Sequence, residues 1–134
     1  MGRKKRQVLT ELELEIMQLV WRYPEITVDK LQKELDCNDR HLALPSIRTM
    51  LDILMEKGYL TRIKQGRGYR YSATISADDA QRSFLKDMLN RVFDNSSIGL
   101  VASLLDNKMI PEKDLEQVKK LISNYERKDQ DEDN

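Results

Sequence analysis

The hydrophobic period of this chain changes once and then changes back. Up to Gly58 its apolar residues recur at helical spacings of three and four. Over residues 59–64 and 69–72 they give way to short, β-compatible runs, parted by the glycine-punctuated turn Gln65-Gly66-Arg67-Gly68. Helical period then resumes at Ser76. The middle segment reads as a hairpin set between helical stretches.

Local signals place the helices on either side. Thr10 and Glu13 have the spacing of a capping box, in which each side chain satisfies a free backbone N–H at the helix start. Leu9 and Leu14 stand at the positions of a hydrophobic staple, and Leu12, Ile16, Leu19 and Val20 fall on one face. Trp21 and Tyr23 close the first helix and Pro24 stops it, with Trp21 read as a core residue. Thr27 caps a short second helix through Val28, Leu31 and Leu35. Residues 36–44 form a polar connection, and Pro45 suits a helix start. The third helix carries Ile47, Met50, Leu51 and Leu54 as one apolar stripe, and Gly58 ends it.

Beyond the hairpin, Ser76 and Asp79 open a helix with Phe84, Leu85, Met88, Leu89 and Val92 on its apolar side. Ser96 or Ser97 caps a short helix containing Ile98, Leu100, Val101, Leu104 and Leu105. Pro111 starts a last helix with Leu115, Val118, Leu121, Ile122 and Tyr125. Ile98, Val101, Leu105, Leu115, Val118, Ile122 and Tyr125 are expected to form the interface of a two-fold homodimer, the C-terminal helices exposing more apolar side chains than so few elements cover within one chain; the alternative is that the Leu115, Val118, Ile122 and Tyr125 stripe packs back on residues 84–92 of the same chain. The tail from Arg127 is almost wholly charged or amide and is expected to be disordered.

Helix, helix, helix and hairpin, in that order, form the winged helix-turn-helix plan. The expected fold is mostly α with a small β-hairpin wing. The division is a basic flexible arm over residues 1–8, a winged helix DNA-binding domain over 9–75, a helical dimerisation domain over 76–126 and a charged tail over 127–134. Charge follows the same division. Residues 1–75 carry 14 Lys and Arg against 10 Asp and Glu, whereas residues 76–134 carry 9 against 13. A basic half beside an acidic half fits a nucleic-acid domain followed by a protein-contact domain.

The same composition argues against other classes. Cys37 and His41 are the only residues of their kinds, so no intrachain disulfide and no Cys/His metal cluster can form, which fits a reducing cytoplasm. Arg3-Lys4-Lys5-Arg6 is followed by no long apolar run, and no stretch approaches the roughly 20 apolar residues of a membrane span. There is no nucleophile–base set and no phosphate loop, so neither an enzyme nor a cofactor is expected.

The third helix can enter the major groove with the face opposite its apolar stripe, and such helices read bases mainly with their N-terminal turns. Ser46, Arg48 and Thr49 are therefore the candidate contacts, with Arg48 either reading guanine or clamping a phosphate. Lys64, Arg67 and Arg70 of the hairpin are candidates for phosphate or minor-groove contact. Asp52 and Glu56 oppose close phosphate approach at the far end of the helix; near DNA, Asp52 must accept from a cytosine amino group or pair with Arg48. The rival reading is a winged-helix protein-interaction adaptor without specific DNA binding, favoured by Asp52 and Glu56 and opposed by the basic arm and arginines.

One set of segments makes a resemblance specific. Leu9-Thr10-Glu11-Leu12-Glu13-Leu14-Glu15-Ile16-Met17 with Trp21, Pro45-Ser46-Ile47-Arg48-Thr49-Met50-Leu51 and Glu56-Lys57-Gly58-Tyr59-Leu60 occur in order. They are followed by Gly66-Arg67, Tyr71 and Leu100-Val101-Ala102-Ser103-Leu104-Leu105. From about residue 8 to residue 123 the chain resembles the penicillinase-repressor family, which includes β-lactamase, methicillin-resistance and copper-responsive repressors. The resemblance implies a cytoplasmic repressor that dimerises through its C-terminal helices and binds palindromic double-stranded operator DNA, with a sensor or protease relieving repression. The chain also departs from its relatives. Pro45 and Ser46 stand where β-lactamase-type repressors have two threonines. No cysteine follows Cys37, unlike the copper branch, and Ser103-Leu104 stands where the antibiotic branch is cleaved at Asn-Phe.

Overall fold

The computed structural model describes the backbone over residues 8–133 and side chains to residue 130; the Arg3-Lys4-Lys5-Arg6 arm lies outside the described residues. The elements are α1 Glu11–Arg22, α2 Val28–Cys37, α3 Leu44–Glu56, β1 Leu60–Gln65, β2 Gly68–Ala73, α4 Ala77–Val92, α5 Ser97–Asp106 and α6 Leu115–Asp133. Chain contacts divide them into two compact units after Leu85.

Local chemistry sets the ends of the first three helices. The Thr10 hydroxyl accepts from Glu13 N at 3.2 Å, and Glu13 Oε1 accepts from Thr10 N at 2.9 Å, completing the capping box. The Thr27 hydroxyl accepts from Lys30 N at 3.2 Å. Ala43, at the start of α3, offers no side-chain cap, and Pro45 lies in the first turn, where its missing N–H is not needed. Gly58 adopts φ +87°, its N–H reaches Met55 O at 3.0 Å, and Tyr59 N reaches Leu54 O at 2.9 Å. This Schellman ending reverses the chain and delivers Tyr59 into the core.

The hairpin pairs Leu60 with Ala73 through to Gln65 with Gly68, leaving Gly66 and Arg67 as a two-residue loop. Gly66 has φ +61° at the first central position, the conformation a type II′ turn requires. Residues directly opposite share a face. Leu60, Arg62 and Lys64 therefore lie with Ala73, Tyr71 and Tyr69, and Thr61, Ile63 and Gln65 lie on the reverse with Ser72, Arg70 and Gly68. Ile26 adds a bridge to β2 that the hydrophobic pattern does not announce: its N–H reaches Tyr71 O at 3.1 Å, and Tyr71 N reaches Ile26 O at 2.9 Å.

The core of this unit joins Ile16, Met17 and Val20 of α1, Leu31 and Leu35 of α2, and Ile47, Leu51 and Leu54 of α3 with Tyr59 and Tyr71. Of the expected α3 stripe, Met50 is only half-buried, at the edge of the packed face. The unit extends past the expected boundary at residue 75. Ala80 is buried, Phe84 packs on the core, and Trp21 Nε1 donates to Ile75 O at 2.9 Å. The first turns of α4 thus belong to the first unit.

From Lys86 onward no described residue is fully buried. Ser96 caps α5, accepting from Gly99 N at 2.9 Å. Pro111 precedes a single 3-10 turn, Glu112–Asp114, and α6 begins at Leu115. The helix runs on through the tail expected to be disordered, to Asp133. Arg, Lys, Glu and Gln are strong helix formers, and no Gly or Pro interrupts the segment.

Candidate nucleic-acid interface

α3 is amphipathic in the way its apolar stripe requires. Ile47, Leu51 and Leu54 are inaccessible, and Ser46, Arg48, Thr49, Asp52 and Glu56 are exposed. The Thr49 hydroxyl donates back to Pro45 O at 3.0 Å, and the residue remains exposed. The three residues expected to read bases thus share the free surface of the first two turns.

Hairpin register sorts the cations by face. Arg67 occupies the turn, exposed, and lines a groove of about 400 Å³ together with Arg48 and Asp52 of α3, Thr27, Val28 and Asp29 at the α2 start, and Arg62, Tyr69 and Tyr71 of the strands. Lys64 is exposed on that same strand face, opposite Tyr69. Arg70 points the other way. It is half-buried on the reverse face, where Nε donates to Gln65 Oε1 and NH1 donates to Glu25 O at 3.2 Å. Its register position and its bonds make it a brace between β2 and the α1–α2 loop, apart from the groove.

Arg62, which residue-type reasoning did not single out, stands where Arg70 was expected. Its guanidinium carbon lies 3.9 Å from the Tyr69 ring centroid, and NH1 lies 3.9 Å from Asp52 Oδ1. A hydrogen bond with the Tyr71 side chain pushes the guanidinium further toward its charged form, against a smaller opposing effect of burial. Asp52 is thus neighboured by Arg62 across the groove. The signal was present in the sequence: a two-residue turn at Gly66 and Arg67 fixes which of residues 62, 64, 69 and 71 share a face.

Among the described residues the groove holds three guanidinium groups, two carboxylates and two tyrosines, an arrangement suited to a polyanion with polar edges. Among the described residues no cluster of His, Cys, Asp and Glu could hold a metal ion, and no helix is long and apolar enough to cross a membrane.

Three helices closed by an antiparallel hairpin, with a cationic turn beside an exposed third helix, define a winged helix-turn-helix protein. The chain belongs to the penicillinase repressor family, whose sequence model matches residues 9–124. It is 25% identical over 122 residues to the penicillinase repressor of Bacillus licheniformis, covering 91% of this chain and 94% of that protein. It is 22% identical over 124 residues to the penicillinase repressor of Staphylococcus aureus, covering 92% and 98%. The solution structure of the DNA-binding domain of the repressor BlaI superposes with a TM-score of 0.50 at 32% identity, covering 57% of this chain and 93% of that domain. The family is one of transcriptional repressors, not of enzymes.

Proposed function

We propose that this chain is a transcriptional repressor that acts in the cytoplasm, binding double-stranded operator DNA as a homodimer on a palindromic site and needing no cofactor. The observation that carries the reading is the groove that Arg48 and Asp52 of α3 border together with Arg62 and the Arg67 turn; Ser46 and Thr49 are exposed on α3 but do not line it. The likeness to the BlaI domain, which is described as DNA-binding, supports it. α3 enters the major groove with Ser46, Arg48 and Thr49 toward the bases, while Lys64 and Arg67 lie on the backbone.

The second part of the proposal is the dimer. Ile98, Val101 and Leu105 of α5, with Ile122 and Tyr125 of α6, are exposed in the single chain, and Leu115 and Val118 are half-buried. That much apolar surface in a unit with no buried residue among those described favours burial against a second copy. The unit from Lys86 on then supplies the dimer contacts and the unit up to Leu85 the DNA contacts. Relief of repression by a sensor or protease, as the family resemblance implies, belongs to the same reading.

Selection of bound sequences from random duplex DNA by the purified chain tests this directly. The expected product is a palindrome with half-site centres about one helical turn apart, since a two-fold dimer presents equivalent helices to one side of the duplex. An asymmetric site, or no enrichment, overturns it.

A further inference from the structure

A carboxylate on the DNA-facing side of a recognition helix is costly unless something offsets its repulsion of phosphate. Asp52 is such a group, four residues after Arg48 on α3 and bordering the same groove. Its side chain is 66% exposed, and among the described residues the nearest cation is Arg62 NH1 at 3.9 Å. That separation is too long for a tight hydrogen bond, so Arg62 screens the charge without occupying the carboxylate's acceptor sites. Arg62 itself has little freedom to leave, being stacked 3.9 Å over Tyr69. Asp29 is the other carboxylate lining the groove, but it stands at the start of α2 rather than on α3.

From this placement we infer that Asp52 determines specificity by accepting a hydrogen bond from a cytosine amino group in each half-site, with Arg62 offsetting its charge. The inference rests on the DNA-binding reading above. The chemistry selects one base. In the major groove cytosine offers only the N4 amino donor, whereas adenine sets its N6 donor beside the N7 acceptor, which repels a carboxylate. Guanine and thymine present acceptors alone at that edge and are rejected outright. Arg48, one turn earlier, supplies the complementary donor, so a guanine next to or opposite the chosen cytosine completes the set. Arg62 offsets the repulsion between this carboxylate and the flanking phosphates.

The test is selection from randomised duplex DNA with the full-length wild type, Asp52→Asn, Asp52→Ala and Arg62→Ala, followed by affinities for the selected site and its single-base variants. Asp52 and Arg62 are exposed enough that the fold persists, and circular dichroism of each variant checks this. Wild type is expected to require cytosine at one position per half-site, with discrimination of roughly 5- to 150-fold, as for a good side-chain–base contact. Asp52→Asn should move that preference to adenine, because an amide pairs with adenine N6 and N7. Asp52→Ala should erase the preference while raising affinity for random DNA. Arg62→Ala should keep the cytosine preference but weaken binding to every sequence and flatten the salt dependence. A uniform rise in affinity for Asp52→Asn with unchanged base preferences overturns the inference, leaving Asp52 as an electrostatic guard. Failure of the wild type to enrich any sequence overturns the repressor reading itself, and this inference with it.

Discussion

Lys57 Nζ lies 2.8 Å from Glu13 Oε1 and 2.7 Å from Oε2, joining the first turn of α1 to the end of α3 across 44 positions of sequence. The Glu13 side chain is 2% exposed and that of Lys57 15%. The same carboxylate completes the Thr10 capping box, and Lys57 also donates to Val8 O at 3.3 Å. One buried carboxylate therefore both starts α1 and anchors it to α3, the helix proposed to enter the major groove. Burial by itself pushes the Glu13 carboxyl up. The Lys57 hydrogen bond, with the Thr10 backbone and hydroxyl donors, outweighs it and holds the group below its ordinary value of 4.5.

That direction fixes an acid limit. A carboxylate whose folded pKa is depressed contributes stability that is present above its unfolded value and lost as pH falls through the folded one. Unfolding free energy should decline below pH 4.5, and Glu13→Gln should remove part of that slope. Lys57→Met should cost about 3 kcal/mol at neutral pH by leaving Glu13 buried and unpaired. Urea melts across pH 3–7 of the three proteins, on the order of 0.5 pH unit apart, measure both effects.

His41 titrates in the opposite sense. Its Nδ1 is 3.0 Å from Asp36 Oδ1 and its Nε2 is 3.1 Å from Asp39 Oδ1, and these two carboxylates, Asp36 foremost, raise its pKa above the ordinary 6.5. The associated stability is fully present below pH 6.5 and is lost as pH rises through the folded value. As the only histidine, its ring proton is assigned in an NMR titration without ambiguity. The midpoint should lie above 6.5 and should fall in Asp36→Asn.

Arg67 in the hairpin turn and Arg70 in β2 should behave differently. Arg67→Ala is expected to weaken binding to many DNA sequences and to lower the salt slope by about one, as for a lost phosphate contact. Arg70→Ala should leave that slope unchanged and lower the melting temperature, because its partners are Gln65 and the Glu25 carbonyl. Equal slope changes in the two variants would return Arg70 to the DNA.

Within α3, reading and folding should separate by face. Arg48→Ala is expected to keep the fold and to cost about 1–3 kcal/mol on the operator, with relaxed preference at one base pair per half-site. Leu54→Ala, at an inaccessible position, should destabilise by about 2–5 kcal/mol. Half-buried Met50→Ala should cost less than Leu54→Ala. Denaturant melts and operator titrations of the three variants provide the comparison.

The exposed face of α6 supplies the last test. Charged replacements at Ile122 and Tyr125, which are 54% and 72% exposed, should leave the monomer fold intact and abolish self-association. Sedimentation should give twice the chain mass for the wild type at tens of micromolar and a single chain for Ile122→Glu with Tyr125→Glu. A monomeric wild type removes the dimer from the proposal.

The sequence by itself determined whatever depends on residues within four positions of one another. Thr10 with Glu13, Thr27, Gly58 and Gly66 set helix starts, a helix stop and the turn, because capping bonds and positive φ are local properties. The apolar repeats likewise named the buried faces of α1, α2 and α3. Only the tertiary structure decided which distant side chains meet. Glu13 finds Lys57, Ile26 pairs with Tyr71, Arg62 replaces Arg70 beside the groove, and α4 begins inside the first unit. Each of these depends on how elements dock and on the face that a strand's register presents. A shift of one residue in that register reverses the face, while composition and helical period stay the same.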